Sequence, residues 1–223
     1  MSIHNTIRDE IYNYSLNKIQ NSIFHQELSN LNIPIEKVRL IYSQFYKWRN
    51  EFHTWFGLLI YKSKDCSTKT KKEVVHSFAS HISIEMSENH DELYRKFLLN
   101  LGVSKDEINN IKTNDITKEY IDSFANRHFN QNDDFLEMCA RITGRELSSC
   151  IRNSYVIKNY FSKIDIKRQV WWDKHEELEL EHFLEEIAPL IKLFDDIELL
   201  KSYMKKEIDL HIQFWDDLYK SII

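Results

Sequence analysis

The chain has 223 residues and a formal net charge of −5, and 42% of its residues are hydrophobic, enough for one large domain with a real core. Only three glycines and two prolines occur, too few turn formers for an all-β or doubly wound fold, so the composition implies an all-α chain. Lysines and acids alternate without a basic stripe, which removes the electrostatic footprint of a nucleic-acid partner.

The opening MSIHNTIRDEIYNYS carries acids and no apolar h-region, and no window approaches the ~18 uncharged apolar residues of a membrane span, so a cytoplasmic protein is expected. Helical periodicity then runs over roughly 4–29, 34–62, 69–88, 90–101, 104–111, 116–129, 132–152, 154–163, 167–187 and 194–221. Pro34 sits at a first helical turn, KSKDCSTKTKK is the most evident loop, and Gly102 is placed to stop the helix ending in LLNL. Pro189 should end or kink the helix that contains HEELELEH. With no repeat, low-complexity run or linker, the expectation is a single domain over 1–223. Cys66, Cys139 and Cys150 are odd in number and lack a CxxC spacing, as expected of reduced thiols rather than zinc or thioredoxin chemistry.

Some acids lie where a core helix should carry none. In HEELELEH, residues 175–182, positions i, i+4 and i+7 place His175, Glu179 and His182 in one row, at about 100° per residue. Such a row is a metal half-site or a solvated face, and Glu176, Glu177 and Glu181 read as the solvated part. In DDFLEMCARITGRELSSCIRNS, Glu146 falls on the stripe of Phe135, Cys139, Ile142 and Cys150, whereas Glu137 shares the opposite, outer face with Asp134, Arg141 and Arg145. A carboxylate on an apolar stripe costs several kcal/mol unless it is paired, protonated or metal-bound. Glu85 sits likewise on the stripe of Val74, Phe78 and Ile82, and His90 follows at the start of the next helix. Glu85, His90, Glu146, His175, Glu179 and His182 are together what a dinuclear non-haem iron site uses. His53 and His81 read as core or pocket residues, His81 being one turn before Glu85 and able to support a ligand from behind. Phe45, Trp48, Trp55, Trp171 and Trp172 read as packing, with a share in any pocket wall.

Four segments in order, LSNLNIPIEKVRLIYSQFYKWRNEFHTWFGLLI, ISIEMSENHDELYRKFLLNLGV, DDFLEMCARITGREL and KHEELELEHFLEE, resemble the haem-oxygenase-like diiron oxidases, relatives of the TenA and PqqC proteins. The resemblance covers roughly residues 24–187 and includes the Hxxx[DE]xxH signature, whose flanking acids look most like the CADD-type branch. It implies a single haem-oxygenase-like helical bundle, two Fe(II) ions held by the same six residues, and O2-dependent oxidation of an amino acid, amine or fatty acid. It further implies an external electron donor and is compatible with a homodimer. A short turn before His90 leaves Glu88 as a rival of Glu85, and Arg145 stands where the CADD-type branch has a tyrosine, so the branch stays open. Two other readings remain: a metal-free TenA- or PqqC-like enzyme, with Cys150 one turn from Glu146 as nucleophile, and a non-enzymatic helical interaction protein.

Overall fold

The computed structural model describes residues 3–63, 68–87, 89–129, 135–166 and 170–223, all helix and connecting turns with no strand among them. The bundle is organised around α9 (Phe135–Asn159), which packs against α10 (Val170–Ile191), α11 (Ile197–Ile222) and α1 (Ile3–Asn21). Every residue of α9 from 138 to 153 is buried. The expected outer face of this helix therefore does not exist: Arg141 and Arg145 are each 1% exposed. Surrounded on all sides, α9 must satisfy its cations internally, and Arg141 does so by pairing with Glu137 and Glu207. The close approach of α11 explains Gly144, where a Cβ would lie 2.6 Å from Met204 Cβ and 2.7 Å from its Cα.

Around this centre lie α2 (Ile23–Ser29), α3 (Ile35–Asn50), α4 (Phe52–Lys62), α5 (Lys69–Ser87), α6 (His90–Leu101), α7 (Lys105–Asn109) and α8 (Asp115–Phe129). One core is aliphatic, with Ile11, Leu147, Phe183 and Met204 joining α1, α9, α10 and α11. The other is aromatic, with Phe45, Tyr94, Trp172 and Trp215 from α3, α6, α10 and α11. Each such side chain, fully buried, stabilises the fold by about 1.5–3 kcal/mol relative to exposure.

Tertiary partners move several expected boundaries. The periodic stretch 4–29 divides at Ser22, whose hydroxyl accepts from the His25 N–H while Asp216 of α11 accepts from Ser22 Oγ and from the Phe24 N–H. The stretch 34–62 divides at Glu51. By contrast, 132–152 and 154–163 join as one α9 up to Asn159, followed by a 3-10 turn at Phe161–Lys163. Gly102 is the helix stop expected of it, with φ of 95° and its N–H bonded to Leu98 and Leu99 carbonyls. Pro189 does not end α10, which runs on to Ile191. Proline lacks the N–H that the Glu185 carbonyl would receive, and Ser77 Oγ of α5 lies 3.3 Å from that carbonyl, its one proton shared with the nearer Glu73 carbonyl of its own helix at 3.1 Å. Among the described residues no helix is long and apolar enough to cross a membrane. Glu88, Cys66 and Asp134, and the side chain of His53, lie outside the described residues.

Candidate metal centre

Four helices bring the site together. The row on α10 faces inward, leaving His175, Glu179 and His182 only 3%, 8% and 2% exposed. From α5 come His81 and Glu85, one turn apart and both buried. Asn89 then adopts a left-handed conformation, φ 52° and ψ 48°, and its side chain caps α6 by accepting from the Glu92 N–H. Asparagine tolerates this region better than most residues. The reversal returns His90 to Glu85, with Nδ1 2.7 Å from Oε1. Glu146 enters from the middle of α9.

Five of the six residues singled out from the sequence fall, together with His81, into two triads, and the sixth, Glu179, lies beside Glu146. Glu85, His90 and His175 form one triad, and His81, Glu146 and His182 the other, with the potential ligand atoms of each within 4.8 Å of one another. Each triad contains an imidazole pair, His81 with His182 at 3.6 Å between centroids and His90 with His175 at 4.6 Å. Glu179 lies within hydrogen-bonding reach of Glu146 and in the field of Glu85.

Hydrogen bonding fixes which nitrogen is free. His175 Nδ1 lies 2.6 Å from the Trp171 carbonyl, which can only accept, so Nδ1 carries the proton and the neutral ring turns its Nε2 lone pair toward Glu85 Oε1 at 3.5 Å. His81 is oriented in the same way, with Nδ1 donating to Glu186 Oε1 at 2.9 Å and Nε2 facing Glu146 Oε2 at 3.9 Å, although its carboxylate neighbours favour a proton on that nitrogen too. Lone pair against carboxylate is repulsive unless a proton or a metal ion lies between them. His182 is starker, since both its ring nitrogens are buried without a hydrogen-bond partner among the described residues. A carboxylate or carbonyl behind an imidazole whose other nitrogen points at further ligands is how proteins orient metal-binding histidines.

The electrostatics of His182 and His175 agree, and that of His81 differs. Burial, with some repulsion from His81, pushes His182 down to about 4, and burial pushes His175 down as well. Both rings are thus neutral near pH 7, the form that binds metal. For His81 burial also opposes the charge, but Glu186, Glu146 and Glu85 outweigh it and raise the pKa. Glu179 is driven well above the carboxylate range by burial and by the Glu146 charge. Its proton bonds Glu146, which with Arg145 and His81 overcomes burial and holds Glu146 down at about 2. The two carboxyls share one proton because two adjacent buried charges cannot both persist.

His81, Glu85, Glu146, His175 and Glu179 line a cavity of about 40 Å3, room for a few atoms only, walled also by Phe45, Trp48, Trp171, Arg49, Arg145 and Arg152. The three arginines and Glu186 were not singled out from the sequence. A signal for Glu186 did exist, since 175, 179, 182 and 186 continue one helical row. For Arg145 the signal pointed the wrong way, toward an outer face. Cys150 does not line this cavity: its thiol donates to the Glu176 carbonyl, and burial and then the Glu176 charge push its pKa up to about 11. That is the opposite of an activated nucleophile.

No protein-family description and no curated protein matches the sequence. Solved structures do match in shape. A domain of unknown function with a haem oxygenase-like fold from Shewanella denitrificans superposes with a TM-score of 0.78 at 13% identity, covering 99% of this chain and 94% of the other. A CADD-like protein of unknown function from Nostoc punctiforme gives 0.77 at 15% identity, covering 99% and 98%. A TenA homologue from Pyrococcus furiosus gives 0.69 at 18% identity, covering 96% and 99%. The chain therefore has the haem-oxygenase-like fold, shared with TenA homologues and CADD-like proteins.

Proposed function

We propose that this chain is an enzyme that holds two ferrous ions in the α5–α6–α9–α10 cavity and uses O2 to oxidise a small organic substrate. The observation that carries this is the pair of triads in which pinned or orphaned imidazole nitrogens confront carboxylates. Glu85, His90 and His175 would hold one ion, and His81, Glu146 and His182 the other, with Glu179 available beside them. Imidazole with carboxylate suits iron, zinc or manganese, and the resemblance to diiron oxidases supports iron among them. Bound ferrous ions would supply the electrons for O2 reduction, with an external donor restoring them.

The chain's own residues supply the rest. The Trp171 carbonyl and Glu186 hold protons at Nδ1 of His175 and His81, which keeps both Nε2 atoms aimed inward. Thr143 Oγ1 donates to Glu186 at 2.8 Å and fixes that carboxylate in turn. Phe45, Trp48 and Trp171 exclude bulk water, which protects a reactive oxidant and strengthens every electrostatic contact. Glu179 holds a proton against Glu146 that must leave when cations enter.

Anaerobic loading should give about two irons per chain, since the donors divide into two groups. O2 should then change the absorbance, and His175→Ala, Glu179→Ala and His182→Ala should each abolish that change while the helical circular dichroism stays. One iron or none in well-folded protein overturns the reading and favours a metal-free TenA-like use of the same cavity.

A further inference from the structure

The structure points to a docking group for the substrate. Arg49, at the end of α3, is buried with 9% of its side chain exposed, and the planes of Tyr94 and Trp171 hold its guanidinium at 6.0 and 5.9 Å. Its ion-pair partner is Glu85, whose Oε2 is 3.7 Å away, beyond hydrogen-bond range. No hydrogen bond satisfies its donors among the described residues. The neighbouring arginines differ: Arg145 donates to Glu146 at 2.8 Å, and Arg152 to Asn153 at 2.7 Å. The Arg49 fork is open to the pockets it lines, so it can take a planar anion there.

Its position says which ligand. Arg49 and Glu85 line both the inner cavity and an outer pocket of about 280 Å3, walled also by Asn50, Met86, Asn89 and Asp91. The outer pocket has room for a small organic body; the inner one does not. Arg49 therefore stands at the passage between them. In the inner wall the guanidinium groups of Arg49, Arg145 and Arg152 face the carboxylates of Glu85, Glu146 and Glu179. Two divalent cations at the triads would leave this wall net positive, and a cation at the first triad would compete with Arg49 for Glu85. An amine would then meet repulsion, whereas a carboxylate fits the planar fork with two parallel hydrogen bonds.

We propose that Arg49 docks a carboxylate group of the substrate, which enters through the outer pocket, so that the oxidised molecule is an organic acid rather than a simple amine. This rests on the oxidase reading of the same cavity.

The test uses anaerobic, metal-loaded protein and three probes of equal length, hexanoate, hexanamide and hexylamine, followed by calorimetry, with metal content measured on the same samples. Hexanoate should bind and the other two should not. Arg49→Gln should weaken hexanoate at least tenfold and Arg49→Lys less, both with unchanged metal content and helical circular dichroism. Equal binding of the three probes to the wild type, or hexanoate affinity within twofold of wild type in Arg49→Gln, overturns the proposal. So does an Arg49→Gln protein that loses metal but keeps its preference for hexanoate, since Arg49 would then merely hold Glu85. A wild type with fewer than two metals per chain refutes the oxidase reading instead, while the probe preference still decides the role of Arg49.

Discussion

Replacing Glu186 by glutamine separates charge from shape behind His81. In the wild type the buried carboxylate accepts from His81 Nδ1 at 2.9 Å and from Thr143 Oγ1 at 2.8 Å. A glutamine of the same shape can still accept from His81 through Oε1 and donate from its amide nitrogen to Thr143, so no buried group is stranded and the fold should hold. What disappears is the negative charge that makes the imidazole a better donor of its other lone pair. A charge-assisted hydrogen bond is worth about 1.5–3 kcal/mol and a neutral one about 0.5–1.5. A tenfold to hundredfold loss of affinity, about 1.4–2.7 kcal/mol, is therefore expected, in the range known for partners behind metal ligands. The loss should fall on one ion, because the triad residue that Glu186 bonds is His81. Anaerobic titration with Mn(II) or Fe(II) by calorimetry should show one binding phase shifted and the other unmoved. Glu186→Leu, which removes the anchor altogether, should shift it further. Two phases that both stay within twofold of wild type in Glu186→Gln would refute the assignment of His81 to the second triad.

Metal should also stabilise the chain. At a hundredfold excess over Kd, binding to the native state adds about 2.7 kcal/mol, or about 5–10 °C in melting temperature for a domain of this size; a melting curve indifferent to ferrous ion under anaerobic conditions refutes this. Acid sensitivity should come partly from His25, which burial and then the Arg152 charge push down to about 3. This buried ring stays neutral while the unfolded chain protonates near pH 6.5, so stability should fall as pH drops from about 6.5 toward 3, by up to ~1.4 kcal/mol per unit. His25→Phe should flatten that part of the urea-stability profile, and an unchanged slope would exclude His25 as its source. Glu137→Gln should destabilise by about 1–3 kcal/mol in urea unfolding, because it deprives the buried Arg141 of its nearest carboxylate, leaving Glu207 at 3.4 Å. A neutral result would return Glu137 to the role of a surface acid.

The all-α class followed from composition, since helices need few turn residues, and most helices followed from a periodicity that any one-sided burial imposes. The row His175, Glu179 and His182, and the isolation of Glu146 on an apolar stripe, were legible because helical geometry fixes which side chains share a face. Local sequence says much less about what surrounds a helix. Whether α9 lies at an edge or at the centre depends on α1, α10 and α11 packing around it, which is why Arg141 and Arg145 are buried although their helical face suggested solvent. The same holds for α10 at Pro189, where packing against α5 brings the Ser77 hydroxyl within 3.3 Å of the carbonyl that proline cannot serve. His81 reads as a supporting histidine from spacing alone; its grouping with Glu146 and His182 depends on the packing of α5 against α10, and its tautomer on a carboxylate 105 residues away. Periodicity specifies a direction from one helix axis. A site of several ligands, a guanidinium at its mouth and the proton shared by Glu146 and Glu179 are set by distances between helices, and those only the tertiary packing decides.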